Sequence, residues 1–480
     1  MAISTVKCGV LFALLFFCCT TYTFASSDYA DIVARAQSLP ETKELLSTIP
    51  FTITYPSSSE IQRRTVGDAT FHSRRSMKLS FTALSRSFSA ELHHNAELFA
   101  DDAVISEFED DELVAESFAP ESNAYLGEAW IDGKERAIVS AVLVDEEKGI
   151  FHMSITNEES GESYVVEPTY LHPTLFRRSV EHELHDQFGN HMVVFKENVH
   201  DLNKFLHNVG DVEEEEEKRS KEQTYCGTEE TDDAEAEEEA SFADASATSS
   251  CPPRSTTYLQ MGVATDNQYV RKAGGSSGAR NTISYVFNTL QTKYYSAVRN
   301  KPVIKSLQIY STASSSLGFN TASCPSDVQS RLTPFCSWRT RQTDRSIGLW
   351  HLLSGCLPDR SGVAGRAYYS AVCLYSTRGC GITGYMGGNA RWVIPAHEIG
   401  HNFGARHSSN IMAPSVNSRA TGFPSTAISQ MCQYTFRVSA RTACLTTTAP
   451  SGTSSRRLGE SEEGGEKQES SAAPAAMPFW

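Results

Sequence analysis

The sequence predicts an α/β protein in which a mixed α/β domain over residues 251–446 follows a β-rich segment over residues 26–210. After residue 251, strand-like and helix-like patterns alternate, and such alternation favours helices packed on a mostly parallel sheet. A compact motif of three histidines, one glutamate and a turn glycine lies within residues 397–407. The charge also changes along the chain, because a strongly acidic stretch precedes a strongly basic domain. At 480 residues, the chain is long enough for two or three domains.

Residues 1–25 are predicted to form a secretory signal peptide. Lys7 precedes an apolar run over residues 9–19, and Ala25 supplies the small residue before a cleavage point at Ser26. An uncleaved membrane anchor is the alternative, but this run is too short to span a bilayer comfortably. We therefore expect a secreted, extracellular protein (or a lumenal one) with no membrane span.

Residues 26–210 are expected to form a globular, β-rich domain ahead of the basic one. Alternating apolar and polar residues predict strands at 135–144 and 163–168. The segment shows no catalytic constellation. His182 and His185 are three positions apart rather than four, and we interpret them as surface residues.

Two neighbouring segments carry opposite charge. Residues 211–244 contain sixteen acids and three bases, a net charge of −13, within a linker predicted over residues 211–250. Residues 251–446 contain twenty Arg and Lys against five acids, a net charge of +15. The acidic run is either a solvated linker or a segment that docks on the basic domain, and the sequence leaves both open. Residues 447–480 are rich in Ser, Gly, Glu and Ala and are predicted to be a disordered tail.

The predicted elements of residues 251–446 follow one another in an α/β order. Strands are predicted at residues 256–264, 302–310 and 347–353, with an edge strand and its neighbour within 362–373. Helices are predicted at residues 281–299, where apolar residues recur at helical spacing, at 389–403 around the histidine motif, and at 426–439.

The histidine motif has the spacing of a metal site. His397 and His401 stand four residues apart, so on a helix they share one face and can bind one ion. Gly404 accepts a positive φ, which allows the chain to turn sharply and return His407 as a third ligand. Three imidazoles leave the fourth tetrahedral position of a zinc ion to water, the arrangement of a catalytic rather than a structural zinc.

Glu398 and Met412 complete the motif. Glu398 lies beside the predicted ion without having to bind it, and a carboxylate there is the general base that hydrolysis needs. Met412 is expected to form an apolar floor beneath the histidines. The whole run fits the pattern HExxHxxGxxH with a Met-turn. The alternatives are a helix with ordinary surface histidines and a zinc site without chemistry, and Glu398 argues against the second.

The cysteines indicate an oxidising compartment. Three lie in the predicted signal peptide and eight lie between residues 251 and 444, enough for four disulfides with 105 possible pairings. These eight are Cys251, Cys324, Cys336, Cys356, Cys373, Cys380, Cys432 and Cys444. Cys226 is left over, outside the cluster.

Within residues 251–446 the chain resembles the adamalysin (reprolysin) branch of the metzincin zinc metalloproteases, the ADAM-like branch. The resemblance rests on HEIGHNFG at 397–404, on 351–355 and 362–373 as third and edge strands, and on 258–266 as opening strand. It implies a metzincin catalytic domain with a mostly parallel five-stranded sheet, an active-site helix and a C-terminal helix. It also implies a substrate that lies extended against the edge strand in a cleft. Ser408 departs from the family's usual Asp, and nothing after Cys444 resembles a disintegrin domain.

Cys226 also fits the resemblance. Tyr225-Cys226-Gly227 is similar to the family's cysteine switch, in which a propeptide thiolate occupies the fourth zinc position and excludes water. The alternative is a thiol without an inhibitory role, or one that pairs with another molecule. A basic cleavage site at Lys218-Arg219 precedes Cys226, so a second cut between residues 227 and 254 would be needed to remove the switch.

These features imply a secreted zinc endopeptidase, made as a latent zymogen, that hydrolyses peptide bonds in protein or peptide substrates. His397, His401 and His407 would hold zinc, and the chain's own propeptide would be the inhibitor. A secreted, zinc-stabilised binding protein of the same fold, without catalysis, is the main alternative. The charge of +15 also allows a polyanion or nucleic-acid binder, but basic surfaces serve many partners, and no nucleic-acid role is expected.

Overall fold

The structure is a computed structural model, and it describes residues 43–55, 75–118, 120–172, 191–197, 226, 255–314, 316–358, 362–439 and 444–450. The signal peptide predicted for residues 1–25, nearly all of the acidic linker and the end of the predicted tail lie outside these residues. His182, His185, Lys218 and Arg219 lie outside them too. Among the described helices, none combines the length and the apolar character needed to cross a bilayer.

The described residues before Cys226 are mostly strand. The strands are β1 (Lys43–Leu46), β2 (Phe51–Thr54), β3 (Ser76–Ala83), β4 (Arg86–His94), β5 (Phe99–Glu109), β6 (Glu112–Phe118), β7 (Ala124–Ile131), β8 (Glu135–Asp145), β9 (Ile150–Thr156), β10 (Ser163–Pro168) and β11 (Met192–Lys196). Nine of them form one antiparallel sheet in the order β1-β11-β10-β9-β8-β7-β4-β3-β2. Strand β4 alternates as expected, with Phe88, Ala90 and Leu92 buried between exposed neighbours. The strands predicted at 135–144 and 163–168 are β8 and β10.

A second sheet carries the strands of the C-terminal part. They are β12 (Thr257–Thr265), β13 (Asn300–Tyr310), β14 (Leu349–Ser354), β15 (Gly365–Ala367), β16 (Cys380–Gly384) and β17 (Leu445–Thr446). The sheet order is β15-β16-β14-β12-β13-β5-β6, with β17 paired to β12. Strands β16, β14, β12, β13 and β5 are parallel, whereas β15, β6 and β17 run antiparallel to their neighbours.

The sheet is larger than the five strands that the resemblance implied. Strand β5 of the N-terminal part pairs in parallel with β13, residues 104–108 lying opposite 306–310, and β6 follows it at the sheet edge. Strand β13 is largely buried. Without β5, the backbone N–H and C=O groups on the outer side of β13 would form an open edge that needs a partner. The two predicted domains therefore share one sheet.

Within the described residues, five α-helices pack against these sheets. They are α1 (Asn267–Lys272), α2 (Ser276–Val298), α3 (Gln329–Arg339), α4 (Ala390–Asn402) and α5 (Ser425–Ser439). The predicted helices correspond to α2, α4 and α5, while α1 and α3 were not predicted. Helix α1 is short and is capped by Asp266, whose side chain accepts from the backbone N–H of Tyr269. Helix α3 contains Pro334, which weakens its helical signal in the sequence.

Disulfides brace the C-terminal part. The described residues contain the pairs Cys324–Cys356, Cys336–Cys380 and Cys373–Cys444. Cys432 is also disulfide-bonded, and Cys251 lies outside the described residues. Cys226 carries a thiol and is buried. The odd cysteine of the sequence count is therefore also the odd one in the structure.

Candidate metal and active site

Helix α4 places His397 and His401 side by side, as their spacing predicts. Their ring centroids are 4.6 Å apart, and the two Nε2 atoms are 3.0 Å apart. Nδ1 of His397 lies 2.8 Å from the carbonyl oxygen of Ile411, and Nδ1 of His401 lies 2.7 Å from that of Ala405. Since a carbonyl oxygen can only accept, each Nδ1 carries the proton and donates it. Both Nε2 lone pairs then face each other, an arrangement that a shared cation stabilises.

The turn after α4 returns His407 to the same point. Gly404 has φ +84°, and its N–H donates to the carbonyl of His401. A side chain at such a φ is strained, so glycine suits this position. The His407 ring centroid lies 4.8 Å from that of His401 and 5.2 Å from that of His397.

Cys226 joins the three histidines. Its Sγ lies 3.5 Å from Nε2 of His401. One ligand atom from each of Cys226, His397, His401 and His407 lies within 4.8 Å of the others. The structure therefore brings together every residue that the sequence put forward as a ligand or as the switch. The backbone of Cys226 also forms a parallel bridge with Gly365, on edge strand β15.

Burial keeps the two helical histidines neutral. Burial, with a smaller contribution from the neighbouring His407, lowers the pKa of His397 to about 4, against an ordinary value of 6.5. It also places the pKa of His401 well below 6.5, with His397 contributing in the same direction. Neutral imidazole is the form that binds a metal ion, so no proton has to leave these rings near pH 7.

Met412 lies in a single 3-10 turn over Asn410–Met412 and packs against Gly400 of α4, between the positions of His397 and His401 in the sequence. The side chain is fully buried, and a Cβ built at Gly400 of α4 would lie 2.7 Å from its Sδ. The N–H of Ser408 donates to the carbonyl of Met412 at 2.8 Å, which closes the short loop after His407. The same turn supplies the Ile411 carbonyl that accepts from His397, a contact that was not predicted from the sequence.

Glu398 is buried between α4 and the edge strand. It is 1 % exposed, and a Cβ built at Gly365 would lie 2.6 Å from its Oε1. A pocket opens beside it, lined by Cys226, Val393, Ile394, His397, Glu398, Ile411, Ala413, Pro414, Ser415, Val416 and Asn417. Gly365 was not singled out from the sequence, because only the fold brings it against Glu398.

The N-terminal part contacts the start of α4. Oε1 of Glu167 accepts from both Nε and an Nη of Arg391 at 3.2 Å, although 224 residues separate the two. Glu197 accepts from the backbone N–H of Asn389 at 3.1 Å. The guanidinium of Arg391 and two histidine contacts hold the pKa of Glu167 well below its usual range, against the effect of burial. No local pattern in the sequence marks these residues.

Comparison with known proteins finds a family model that matches part of the chain. Residues 254–453 match the reprolysin model described as Metallo-peptidase family M12. A protein of Aspergillus fumigatus named Disintegrin and metalloproteinase domain-containing protein B is 28% identical over 199 residues, covering 39% of this chain and 24% of that protein. A protein of the same name from Arthroderma benhamiae is 25% identical over 253 residues, covering 42% and 31% respectively. The chain thus spans about a quarter to a third of the length of these relatives.

One solved structure, titled "Structure of a chaperone-substrate complex", aligns with 39% of this chain and 36% of its own. The sequence identity is 14% and the TM-score is 0.28, too low to establish a shared fold.

Proposed function

We propose that the chain is a secreted zinc endopeptidase made as a latent precursor, with its catalytic domain in the part that matches the reprolysin model, residues 254–453. The observation that carries the proposal is the convergence of His397, His401, His407 and Cys226, whose ligand atoms all lie within 4.8 Å of one another. Imidazole nitrogen and thiolate sulfur are the donors that zinc takes in tetrahedral sites. Both helical histidines are neutral and oriented by backbone carbonyls, as ligands must be.

The three histidines would hold the ion through their ring nitrogens. Bound zinc would supply Lewis acidity, which lowers the pKa of a water at the open position and polarises the scissile carbonyl. The carboxylate of Glu398 would accept the proton of that water and then donate it to the amine of the departing peptide. Its burial against Gly365 keeps the carboxylate in one place and away from bulk water.

The substrate backbone would lie along edge strand β15. In the precursor, this strand pairs with β16 on one side and meets Cys226 at Gly365. Once the Cys226 segment has left, the same backbone groups can pair with an extended peptide. The neighbouring pocket contains the apolar side chains of Val393, Ile394 and Ile411, so it suits an apolar substrate side chain next to the scissile bond.

Latency would follow from the position of Cys226. Its thiolate would take the fourth zinc position, which removes the water that the reaction requires. Its backbone would also occupy the edge that a substrate needs. One segment therefore blocks both the chemistry and the binding.

The proposed site of action is extracellular. The disulfides of the C-terminal part form and persist in oxidising compartments, and they support secretion. The predicted signal peptide supports it as well.

The test is peptide hydrolysis by the full precursor carrying Cys226→Ala, assayed with a library of quenched peptides. We expect hydrolysis that a chelator removes and that added zinc restores. A second variant adds Glu398→Gln, and we expect one zinc per chain with no hydrolysis. If the Cys226→Ala precursor binds one zinc and cleaves nothing, even after a cut between residues 227 and 254, the chain is instead a zinc-stabilised binding protein. Hydrolysis that survives Glu398→Gln would contradict the role of the carboxylate.

A further inference from the structure

The catalytic domain (residues 255–450) and the N-terminal body (the described parts of residues 43–197) are joined far more closely than a removable inhibitor requires. We infer that, after a cut between Cys226 and residue 254, the N-terminal body stays bound as a non-covalent subunit of the enzyme. This rests on the proposed function only in that such a cut, together with one before Cys226, is taken to activate the precursor. The partner for this surface is thus a segment of the same chain.

The first contact is strand pairing. Strand β5 adds to β13 in parallel, and the N–H groups of Ile304 and Ser311 donate to the carbonyls of Leu98 and Phe108 at 3.0 Å. Without β5, the eleven-residue strand β13 would be an open edge of the sheet. A long, exposed edge carrying buried apolar residues such as Val303 and Leu307 pairs readily with other chains. If β5 left, the catalytic domain would therefore expose a strand edge that pairs readily with other chains.

The second contact is a shared core. Phe99, Ile105 and Val142 of the N-terminal body belong to one hydrophobic cluster with Val286 and Leu290 of α2, and all five are at most 6 % exposed. Helix α2 packs both against β13 and against β7, β8 and β9. Large apolar contact of this kind characterises permanent interfaces rather than transient ones.

The third contact is a buried polar network that fixes how the two parts fit. Nδ2 of Asn95 donates to the side-chain oxygens of Asn288 and Gln291 at 2.8 Å. Asn288 in turn donates to the Tyr125 carbonyl at 2.9 Å, and Gln291 donates to the Glu97 carbonyl at 2.8 Å. Each of these groups is satisfied by a partner across the interface, which selects one docking position.

Charge complementarity is the fourth contact. Five Lys or Arg side chains of the catalytic domain pair with acids of the N-terminal body. Lys305 pairs with Asp102 at 2.8 Å near the surface, where such pairs contribute little. Arg391 and Glu167 are at most 3 % exposed in their side chains, so loss of one leaves the other charge buried. Acidic side chains of the N-terminal body therefore neutralise part of the positive charge of the catalytic domain.

Release of Cys226 does not require release of the body. Cys226 meets the sheet at β15, whereas β5 lies at the other side, with β16, β14, β12 and β13 between them. At the usual strand spacing, these two places are about 24 Å apart. Cuts on both sides of Cys226, at Lys218-Arg219 and between residues 227 and 254, can therefore free the active site while strand pairing, core and polar network remain intact.

The experiment introduces a recognition sequence for an exogenous protease at residues 228–234 of the full precursor, in a Glu398→Gln background that cannot cut itself. After cleavage, the sample is applied to size exclusion at low micromolar concentration without denaturant. We expect both fragments in one peak, at the position of the intact chain and in equal amounts. Fragments in different peaks, or one fragment precipitated while the other stays soluble, would overturn the inference.

A variant tests the interface itself. Asn95→Ala removes two interface hydrogen bonds. We expect the cut pair to dissociate at least tenfold faster than a pair carrying Glu128→Gln, a change at a half-buried side chain of β7 that pairs with Arg136 inside the N-terminal body. Equal dissociation rates would overturn the assigned interface. If Asn95→Ala does not fold, the unmodified cut pair still decides the question.

A parallel sample with Cys226→Ala and intact Glu398 separates the two proposals. Peptide hydrolysis in the co-eluting peak supports both. Co-elution without hydrolysis would contradict the proposed function and leave the retained body supported. Hydrolysis confined to a separated catalytic fragment would support the proposed function and overturn the retained body.

Discussion

Sγ of Cys226 lies 3.5 Å from Nε2 of His401, although 175 residues separate the two in the sequence. The thiol lies on the side of the His401 ring that faces His397 and His407, where the ligand atoms converge. A bridge between Cys226 and Gly365 holds the backbone of the segment at the same time.

Cys226 should be protected from alkylation while zinc is bound. A zinc-bound thiolate is engaged through its lone pair, so iodoacetamide should label the native precursor at least tenfold more slowly than the zinc-free precursor. The measurement is mass spectrometry of the Cys226 peptide with and without a chelator. Equal labelling rates in the two states would show that the thiol is not a ligand.

His407→Ala should weaken zinc binding in a way that depends on Cys226. The proposed site has four ligands, so three remain after this change, and we expect zinc to be retained under mild dialysis. In the double variant Cys226→Ala and His407→Ala only two ligands remain, and we expect zinc to be lost. Zinc per chain, measured by atomic absorption after dialysis against a weak chelator, checks this. Full zinc in the double variant would remove His407 from the ligand set.

Gly365→Ala should impair catalysis without loss of zinc. The new Cβ would meet Oε1 of Glu398 at 2.6 Å, so the carboxylate must move. Even a small displacement of the Glu398 carboxylate can lower kcat by about 10²-fold. The matched control is Gly387→Ala, whose Cβ meets nothing within 4 Å. The measurement is kcat in the Cys226→Ala precursor, and an unchanged kcat for Gly365→Ala would show that Glu398 tolerates the shift.

Stability should fall as the pH decreases from 7 to 5, partly because of His152. This ring stacks on Tyr285 and faces Glu167, Arg391 and His172. Burial lowers the pKa of His152 to about 4, and the Glu167 carboxylate offsets only part of that effect. Since the unfolded chain binds this proton near pH 6.5, its contribution is complete above that pH and is lost as the pH falls towards 4.

The expected loss from His152 between pH 7 and pH 5 is about 2 kcal/mol in the free energy of unfolding. Urea unfolding of His152→Gln should show a pH dependence smaller by this amount. His351, whose pKa burial lowers to about 3, acts equally in both proteins and cancels from the difference. The control is His93→Gln, a change at an exposed position of β4. An undiminished pH dependence in His152→Gln would rule out this histidine as a source.

The sequence could predict those parts of the site that lie close together along the chain. His397, His401 and Gly404 are placed by helical periodicity and by one turn, which are local properties of the backbone. Strand β16 was missed because Cys380–Gly384 contains two glycines and shows no alternation. The edge strand was predicted within 362–373, but its contact with Glu398 depends on how β15 packs beside α4.

The charge pattern also shows that contacts between distant residues cannot be predicted from the sequence. The sequence left open whether the acidic run at 211–244 docks on the basic domain, and nearly all of that run lies outside the described residues. The structure shows that other acids, among them Glu97, Asp102 and Glu167, pair with the basic domain. Composition predicted the attraction between acids and bases, but not which acids would meet them.

By itself, the sequence determined the spacing of the three histidines, the glutamate beside them and the odd cysteine. Only the tertiary structure decided that β5 extends the catalytic sheet, that Glu167 meets Arg391 and that Gly365 lies against Glu398. The physical reason is the range of the interactions. Helical period and turn geometry depend on a few consecutive residues, so they can be predicted from the local sequence. Strand pairing and buried ion pairs join residues that are distant in sequence and become neighbours only when the chain folds.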